Sequence, residues 1–98
     1  MPHYHVIGRD HPGEPERRAG ARAAHLAMAK RLMQEGTLIQ GGALLDEAGE
    51  MIGSMLIIKA ESREALDAIL AADPYVQQNV FEKIEITEYR PAPCFASA

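Results

Sequence analysis

The apolar and polar positions of the chain predict four strands and two helices. The strands are predicted at 3–8, 37–45, 52–60 and 80–89, where β-prone residues cluster between turn residues. One helix is predicted at 14–35, with Pro15 in its first turn and Gly36 after its end, and the other from the N-cap Ser62 to Ala71. The order β-α-β-β-α-β is typical of an α+β, ferredoxin-like subunit, in which two helices cover one face of a four-stranded antiparallel sheet.

The third and fourth predicted strands differ in their pattern. The third strand is apolar on both of its faces, with Met55 and Ile57 on one and Leu56 and Ile58 on the other, as expected of a central strand. The fourth strand alternates apolar with polar residues, as expected of an edge strand. Because two helices cover only one face, the large apolar side chains on the other face of this strand would be exposed in a monomer. We therefore expect a homodimer or a higher homo-oligomer.

Composition restricts the class of protein. The 98 residues fit one domain, 1–98, and the apolar fraction of 47% with 24% charged residues excludes global disorder. The net charge is −4 and no basic block is present, so no nucleic-acid partner is expected. No apolar run reaches about 20 residues and no signal peptide is visible, so we expect no membrane association and a cytoplasmic location. The single cysteine, Cys94, cannot form an internal disulfide.

A histidine interrupts the apolar face of the first helix. At about 100° per residue, one stripe of this helix consists of Ala21, Met28, Ala29 and Leu32. His25 falls in the middle of that stripe, with Arg18 and Arg22 nearer the N-terminus. A buried imidazole needs partners for both ring nitrogens. The pattern is consistent with a structural histidine bonded to the backbone and with a functional one.

Asp73 is the second candidate. Followed by Pro74, it is typical of an N-cap that opens a short turn at Tyr75 and Val76. In this topology the end of the second helix can approach the middle of the first. A carboxylate beside His25 would fix the imidazole tautomer and raise its basicity, as general acid–base chemistry requires. Ser54 and Tyr75 are weaker candidates: each could be a polar group in the same pocket or simply pack.

Two further patterns are less informative. His3 and His5 share one face of the first strand, but a metal site would need a third ligand, and no Cys or Asp stands at a suitable spacing nearby. The two histidines are more typical of a sheet face or a pocket rim. Gly41-Gly42 is not a phosphate loop, because no Lys and no helix follow; the pair favours a bulge or a close approach of backbone or ligand.

Several short segments, in this order, resemble a known family. They are Arg22-Ala-Ala-His25-Leu26, GTLIQGGAL at 36–44, Gly53-Ser54, SREA at 62–65, ADPYV at 72–76, VFE at 80–82 and IEI at 84–86. Together they resemble the YciI-like (YCII-related) family of small bacterial proteins over nearly the whole chain. The resemblance implies a ferredoxin-like subunit that pairs sheet to sheet into a dimeric α/β barrel. It also implies a site in which a helix-one histidine and the aspartate of an Asp-Pro-Tyr segment face a cleft, here His25 and Asp73.

The chain departs from the family pattern in two places. Many members have Pro two residues before the histidine, where Ala23 and Ala24 stand, and Ala-Gly after the Asp-Pro-Tyr-Val segment, where Gln78-Asn79 stand. These changes would alter the pocket rather than the fold. One branch of the family is associated with dehydrochlorination of chlorinated hydroquinols, while most members have no established substrate.

The residues and the resemblance together favour a small-molecule enzyme without metal or organic cofactor, lyase-like, dehydrochlorinase-like or isomerase-like. His25 is the expected general base or acid, and Asp73 its orienting partner. The expected substrate-binding residues are Arg22, for an anionic or phenolate group, and Ser54, Tyr75 and His5. Two alternatives stay open: a non-catalytic small-ligand-binding or accessory oligomeric protein, and a metal-binding protein that uses His3 and His5.

Overall fold

The computed structural model describes residues 1–95 and contains, in that range, four strands and three α-helices. In chain order they are β1 (His3–Asp10), α1 (Pro15–Gln34), β2 (Leu38–Leu45), β3 (Met51–Lys59), α2 (Arg63–Ala72), α3 (Pro74–Gln77) and β4 (Phe81–Tyr89), followed by a 3-10 turn at Pro93–Phe95. The strands form one antiparallel sheet in the order β2-β3-β1-β4. The predicted α+β, ferredoxin-like arrangement is confirmed, with β1 and β3 central and β4 at an edge.

Alternation along the strands divides the sheet into two faces. On β1, Tyr4 and Val6 point to the helices and are buried, and Val6 is paired with Leu56 on β3 and Ile86 on β4. The main core cluster consists of Tyr4, Val6, Leu38, Leu56, Ile58, Ala60, Leu66 and Leu70. The opposite face carries Ile7, Met55 and Ile57, which are only partly buried. The predicted two-faced apolar character of β3 is therefore present.

The ends of the helices follow the sequence signals closely. α1 begins with Pro15 at its first position and is followed by Gly36 at φ +79°, a left-handed conformation that glycine adopts readily. α2 is capped by Ser62, whose hydroxyl accepts the backbone N–H of Ala65 at 3.1 Å. The segment after Asp73 is a full helical turn, α3, where the sequence predicted only a turn. No helix within residues 1–95 is long and apolar enough to span a membrane.

The bulge in β2 is not at the glycine pair. The β2–β3 register shifts between Leu38 and Gln40, and again between Leu44 and Leu45. Gly41 instead provides the close approach: a Cβ there would lie 3.3 Å from Leu56 Cδ2. The extra residue at Ile39 reverses the alternation, so that Gly41 lies opposite Leu56 on the helix-facing side of the sheet.

Candidate active site in the cleft beside His25

A cleft of about 530 Å³ opens between α1 and the strands β2 and β3. Its polar lining includes Arg18, Arg22, His25, Ser54 and Tyr75. The rest of the lining is mostly apolar, and none of its described residues is acidic. Four of the six residues expected from the sequence to form a site therefore line one cavity, and a fifth, Asp73, lies directly behind it.

His25 and Asp73 are in direct contact. His25 Nδ1 lies 2.8 Å from Asp73 Oδ1, and the two residues are only 8% and 6% exposed. Because an ionised carboxylate can only accept hydrogen bonds, Nδ1 carries the proton and donates it. Nε2 forms no hydrogen bond within residues 1–95. Every fully buried side-chain nitrogen or oxygen in that range has a hydrogen-bond partner, so Nε2 is not fully buried. Because His25 lines the cleft, Nε2 is accessible from it. An imidazole that is neutral and held in this tautomer has an unprotonated Nε2 facing the cleft.

Asp73 also caps α3 with the same oxygen. Oδ1 accepts the backbone N–H of Tyr75 at 2.9 Å, while the Asp73 backbone ends α2. Asp73 therefore both caps α3 and contacts His25, two roles that the sequence pattern allowed together.

The ring of Tyr75 packs against the face of the His25 imidazole. The two rings stack with centroids 3.7 Å apart and planes 12° from parallel. The buried Tyr75 ring also meets Phe81 edge to face at 5.7 Å, within a second apolar cluster that includes Ala21 and Val80. The orientation of His25 is thus set by Asp73 through a hydrogen bond and by Tyr75 through ring contact.

The buried side chain of Arg18 contacts Tyr75, Ser54 and Asp10 and so fixes their relative positions. Arg18 donates from Nε to Asp10 Oδ2 at 2.7 Å and from Nη2 to Asp10 Oδ1 at 2.9 Å, and Nη2 also donates to Ser54 Oγ at 2.9 Å. Its guanidinium carbon lies 4.6 Å from the centre of the Tyr75 ring. The sequence pattern indicated Arg18 only as a neighbour of His25 and gave no sign of its pairing with Asp10. A signal for Arg18 itself was available, because Arg18 stands seven residues before His25 and so shares its helix face.

The electrostatics of the site follow from these contacts. Burial lowers the pKa of Arg18, but the hydrogen bonds and the charge of Asp10 outweigh that effect, so the pKa is raised overall. Burial raises the pKa of the Tyr75 phenol, and the positive charges of Arg18 and Arg22 only partly oppose the rise. Tyr75 is therefore a neutral phenol at neutral pH. Arg22 is exposed and has no ion pair within residues 1–95, so its charge is available to the cleft.

One expected binding residue lies elsewhere. His5 is paired with Ile57 and Thr87 and lies on the face of the sheet that points away from the helices. The expectation that it lines the pocket is corrected, because strand alternation turns it away when Tyr4 and Val6 point to the helices. Ser54 does line the cleft, but its hydroxyl accepts from Arg18.

The other histidine of β1 has local partners. His3 Nδ1 lies 3.1 Å from the carbonyl oxygen of Met1, and its ring meets Tyr89 edge to face at 5.8 Å. Residues 1–95 contain no group of three or more His, Cys, Asp or Glu side chains that could hold a metal ion. The third ligand that a site at His3 and His5 would need is thus not found in the described part of the chain.

The departure at Gln78-Asn79 has a structural explanation. Asn79 has φ +54°, a conformation that glycine adopts freely and that asparagine tolerates best among the other residues. Its backbone carbonyl also accepts from Arg17 Nη1 at 3.4 Å. Asparagine in place of the usual glycine therefore leaves the turn from α3 to β4 intact.

Comparison with known proteins identifies relatives over most of the chain. The family model of the YCII-related domain matches residues 3–90. Protein YciI of Escherichia coli O6:H1 is 33% identical over 93 residues, which cover 89% of this chain and 95% of the relative. The "Derivative of benzaldehyde biosynthesis cluster protein C" of Emericella nidulans is 38% identical over 69 residues, covering 63% of this chain and 70% of the relative.

A solved structure shows the same fold. The 5-chloro-2-hydroxyhydroquinone dehydrochlorinase TftG of Burkholderia phenoliruptrix AC1100, in complex with 2,5-dihydroxybenzoquinone, superposes with a TM-score of 0.82 and 25% identity, covering 92% of this chain and 95% of that one. This likeness supports a small-molecule catalytic role for the fold. Because the family model matches residues 3–90 and YciI is 33% identical over 89% of the chain, this chain belongs to the YCII-related domain family.

Proposed function

We propose that this protein is a cytoplasmic small-molecule enzyme in which His25 acts as a general base and acid, in a lyase-type elimination or an isomerisation. The observation that carries the proposal is the 2.8 Å contact between His25 Nδ1 and Asp73 Oδ1, with Nε2 left to the cleft. The proposal invokes no metal or organic cofactor, because base, orienting carboxylate and cationic charge are all supplied by side chains.

The chemistry balances without a co-reactant. In an elimination, His25 Nε2 takes a proton from carbon, the C–H electron pair becomes the new double bond, and a leaving group such as chloride departs with its bonding pair. The imidazolium that forms is stabilised by the Asp73 carboxylate. In an isomerisation, the same nitrogen returns the proton to another carbon. Such general acid–base catalysis contributes about a hundred- to ten-thousand-fold in rate.

The charges of the cleft favour an anionic substrate. Arg18 is satisfied by Asp10, whereas Arg22 is unpaired within residues 1–95 and lines the same cleft. Removing a proton next to a carbonyl places negative charge on oxygen, and a guanidinium beside that oxygen stabilises the charge. The dihydroxybenzoquinone bound to the dehydrochlorinase TftG supports an oxygenated ring as the reacting part of the substrate.

The proposal includes a homodimer. The side chains of Ile7, Met55 and Ile57 form an apolar strip on the sheet face that the helices do not cover. A second copy that packs its own strip against this face would complete the burial of both. The cleft lies on the other face of the sheet, so this pairing would leave it open to substrate.

The direct test measures chloride release from 5-chloro-2-hydroxyhydroquinone, the compound in the name of the structural relative. We expect His25→Asn to lose at least about a hundredfold in kcat. Asp73→Asn should lose kcat because its neutral amide does not stabilise the imidazolium, and Arg22→Gln should chiefly raise KM. His3→Asn, a histidine change outside the cleft, is the matched control.

The outcomes separate the proposal from its alternative. Unchanged turnover in His25→Asn would overturn the assignment of the base. Binding of 2,5-dihydroxybenzoquinone in the cleft, without turnover of any chlorinated or isomerisable ring compound, would favour the non-catalytic ligand-binding alternative.

A further inference from the structure

The cleft has two chemically different ends. The last turn of α1 continues through 35–37 into β2, so Met33 lies beside the first residues of β2. Arg18, Arg22 and Ser54 lie toward the opposite end, where α1 begins and β3 starts. His25 stands between the two ends. The polar end therefore contains the two arginines of the lining, and the residues at the other end are different in character.

The end beyond His25 is mainly apolar. It is lined by Leu26, Ala29, Met33, Leu38 and Ile39. Leu26 and Met33 are 46% and 54% exposed, so the described part of the chain leaves two large apolar side chains on the wall of the cleft. Lys30 and Gln40 also line this region, and the long stem of a lysine can cover apolar surface while its ammonium group stays in water.

The cleft is too long for a single ring. Its α1 lining runs from Arg18 to Met33, which at 1.5 Å per residue is about 22 Å along the helix axis. Its volume of about 530 Å³ lies in the range of pockets that enclose drug-sized ligands. An oxygenated six-membered ring held between Arg22 and His25 would leave the apolar end empty.

We infer that the substrate is an amphiphilic molecule with an oxygenated, anionic head at His25 and Arg22 and an alkyl or aryl substituent that lies between α1 and β2. The inference rests on the proposed function for the placement of the head. It adds that the apolar end, through Leu26 and Met33, determines substrate specificity by size and hydrophobicity. Gly41, opposite Leu56 on the helix-facing side of β2, helps to form this channel because it places no Cβ between β2 and the helix.

The test is a binding series on the intact protein. Para-alkylbenzoates from methyl to hexyl carry the same carboxylate at neutral pH and differ only in the tail, and titration calorimetry gives their Kd. We expect affinity to rise about fourfold for each added methylene, as for apolar burial, until the channel is filled. In the double variant Leu26→Gln, Met33→Gln the rise should be largely lost. Arg22→Gln should weaken the whole series by a similar factor.

The control and the opposing outcomes are defined by the structure. Leu45→Gln changes a residue that is 56% exposed and does not line the cleft, and it should reproduce the wild-type series. A flat series in the wild type, or an equal slope in the double variant, would overturn the inference. Because binding is measured in the absence of turnover, a failure of the acid–base proposal appears separately, as unchanged turnover in His25→Asn.

Discussion

The imidazole of His25 and the phenol ring of Tyr75 lie face to face, with centroids 3.7 Å apart and planes 12° from parallel. One residue comes from α1 and the other from α3, and Asp73 Oδ1 bonds both the His25 ring and the Tyr75 backbone. Tyr75 of α3 therefore sets the plane of the imidazole, and Asp73, the N-cap of α3, sets its tautomer. Through Tyr75 and its N-cap, this short helix is part of the site as well as a connection between α2 and β4.

The two functions of Asp73 can be separated by substitution. Asp73→Asn keeps an N-cap of similar strength and should unfold at nearly the wild-type urea concentration. Asp73→Ala removes the cap and leaves the His25 N–H without its acceptor, at a cost of about 1–3 kcal/mol in the free energy of unfolding. Equilibrium urea unfolding followed by circular dichroism measures both. Equal stability of Asp73→Ala and the wild type would contradict the buried contact.

Tyr75 predicts a dependence of stability on alkaline pH. Burial raises its pKa above the ordinary value of 10.0, so the folded state favours the neutral phenol. This contribution is fully present below the unfolded pKa and is lost as the pH rises through the higher folded pKa. The free energy of unfolding should therefore fall above about pH 10 in the wild type and fall less steeply in Tyr75→Phe. Tyr89→Phe, a phenol on the opposite face of the sheet, is the control, and identical pH curves for all three proteins would be the contrary result.

Two ion pairs of the chain should differ in their importance for stability. Arg18 and Asp10 are 7% and 12% exposed at the side chain, whereas Arg9 and Glu85 are 56% and 45% exposed. Asp10→Asn leaves a buried guanidinium without its counter-charge, which should cost about 3–5 kcal/mol. Glu85→Gln should leave stability close to that of the wild type, because water screens its pair. Thermal unfolding of both variants tests the contrast, which a mild effect of Asp10→Asn would contradict.

The uncovered sheet face predicts the state of assembly. We expect the wild type to sediment as a dimer or larger species at micromolar concentration, and Ile57→Gln to weaken assembly or destabilise the protein by about 2–5 kcal/mol. Ile84→Gln is a matched change on the helix-facing side of β4 and should leave assembly intact. Analytical ultracentrifugation distinguishes the species. A folded wild-type monomer would refute the prediction.

The order and ends of the elements could be predicted because they depend on local signals. Pro15, Gly36 and Ser62 each act within one turn of the helix end that they define, and the α1 bounds differ from the prediction by one residue at each end. The apolar stripe of α1 likewise identified His25 as buried. The Asp73 contact was expected from the topology and from the family resemblance.

The remaining features depend on geometry between elements. The pair of Arg18 and Asp10 joins a helix to the end of a strand, and periodicity within either element carries no information about that distance. The bulge at Ile39 changes which β2 residues face the helices, and nothing in the local sequence marks it. His5 was assigned to the pocket because alternation tells which residues share a face, but not which face the helices cover.

The position of β2 at the edge of the sheet gives the two walls of the cleft different rigidity. β2 is hydrogen bonded to β3 alone, and five of its eight residues, 40–43 and 45, are exposed. The wall that carries His25 is a twenty-residue helix anchored by buried Arg18 and Ala21. Local opening has its lowest free energy where backbone contacts are few and exposed. We therefore expect the wall formed by β2 to open locally more readily than the wall formed by α1. The width of the cleft would then adapt to a ligand while His25 and Asp73 keep their geometry.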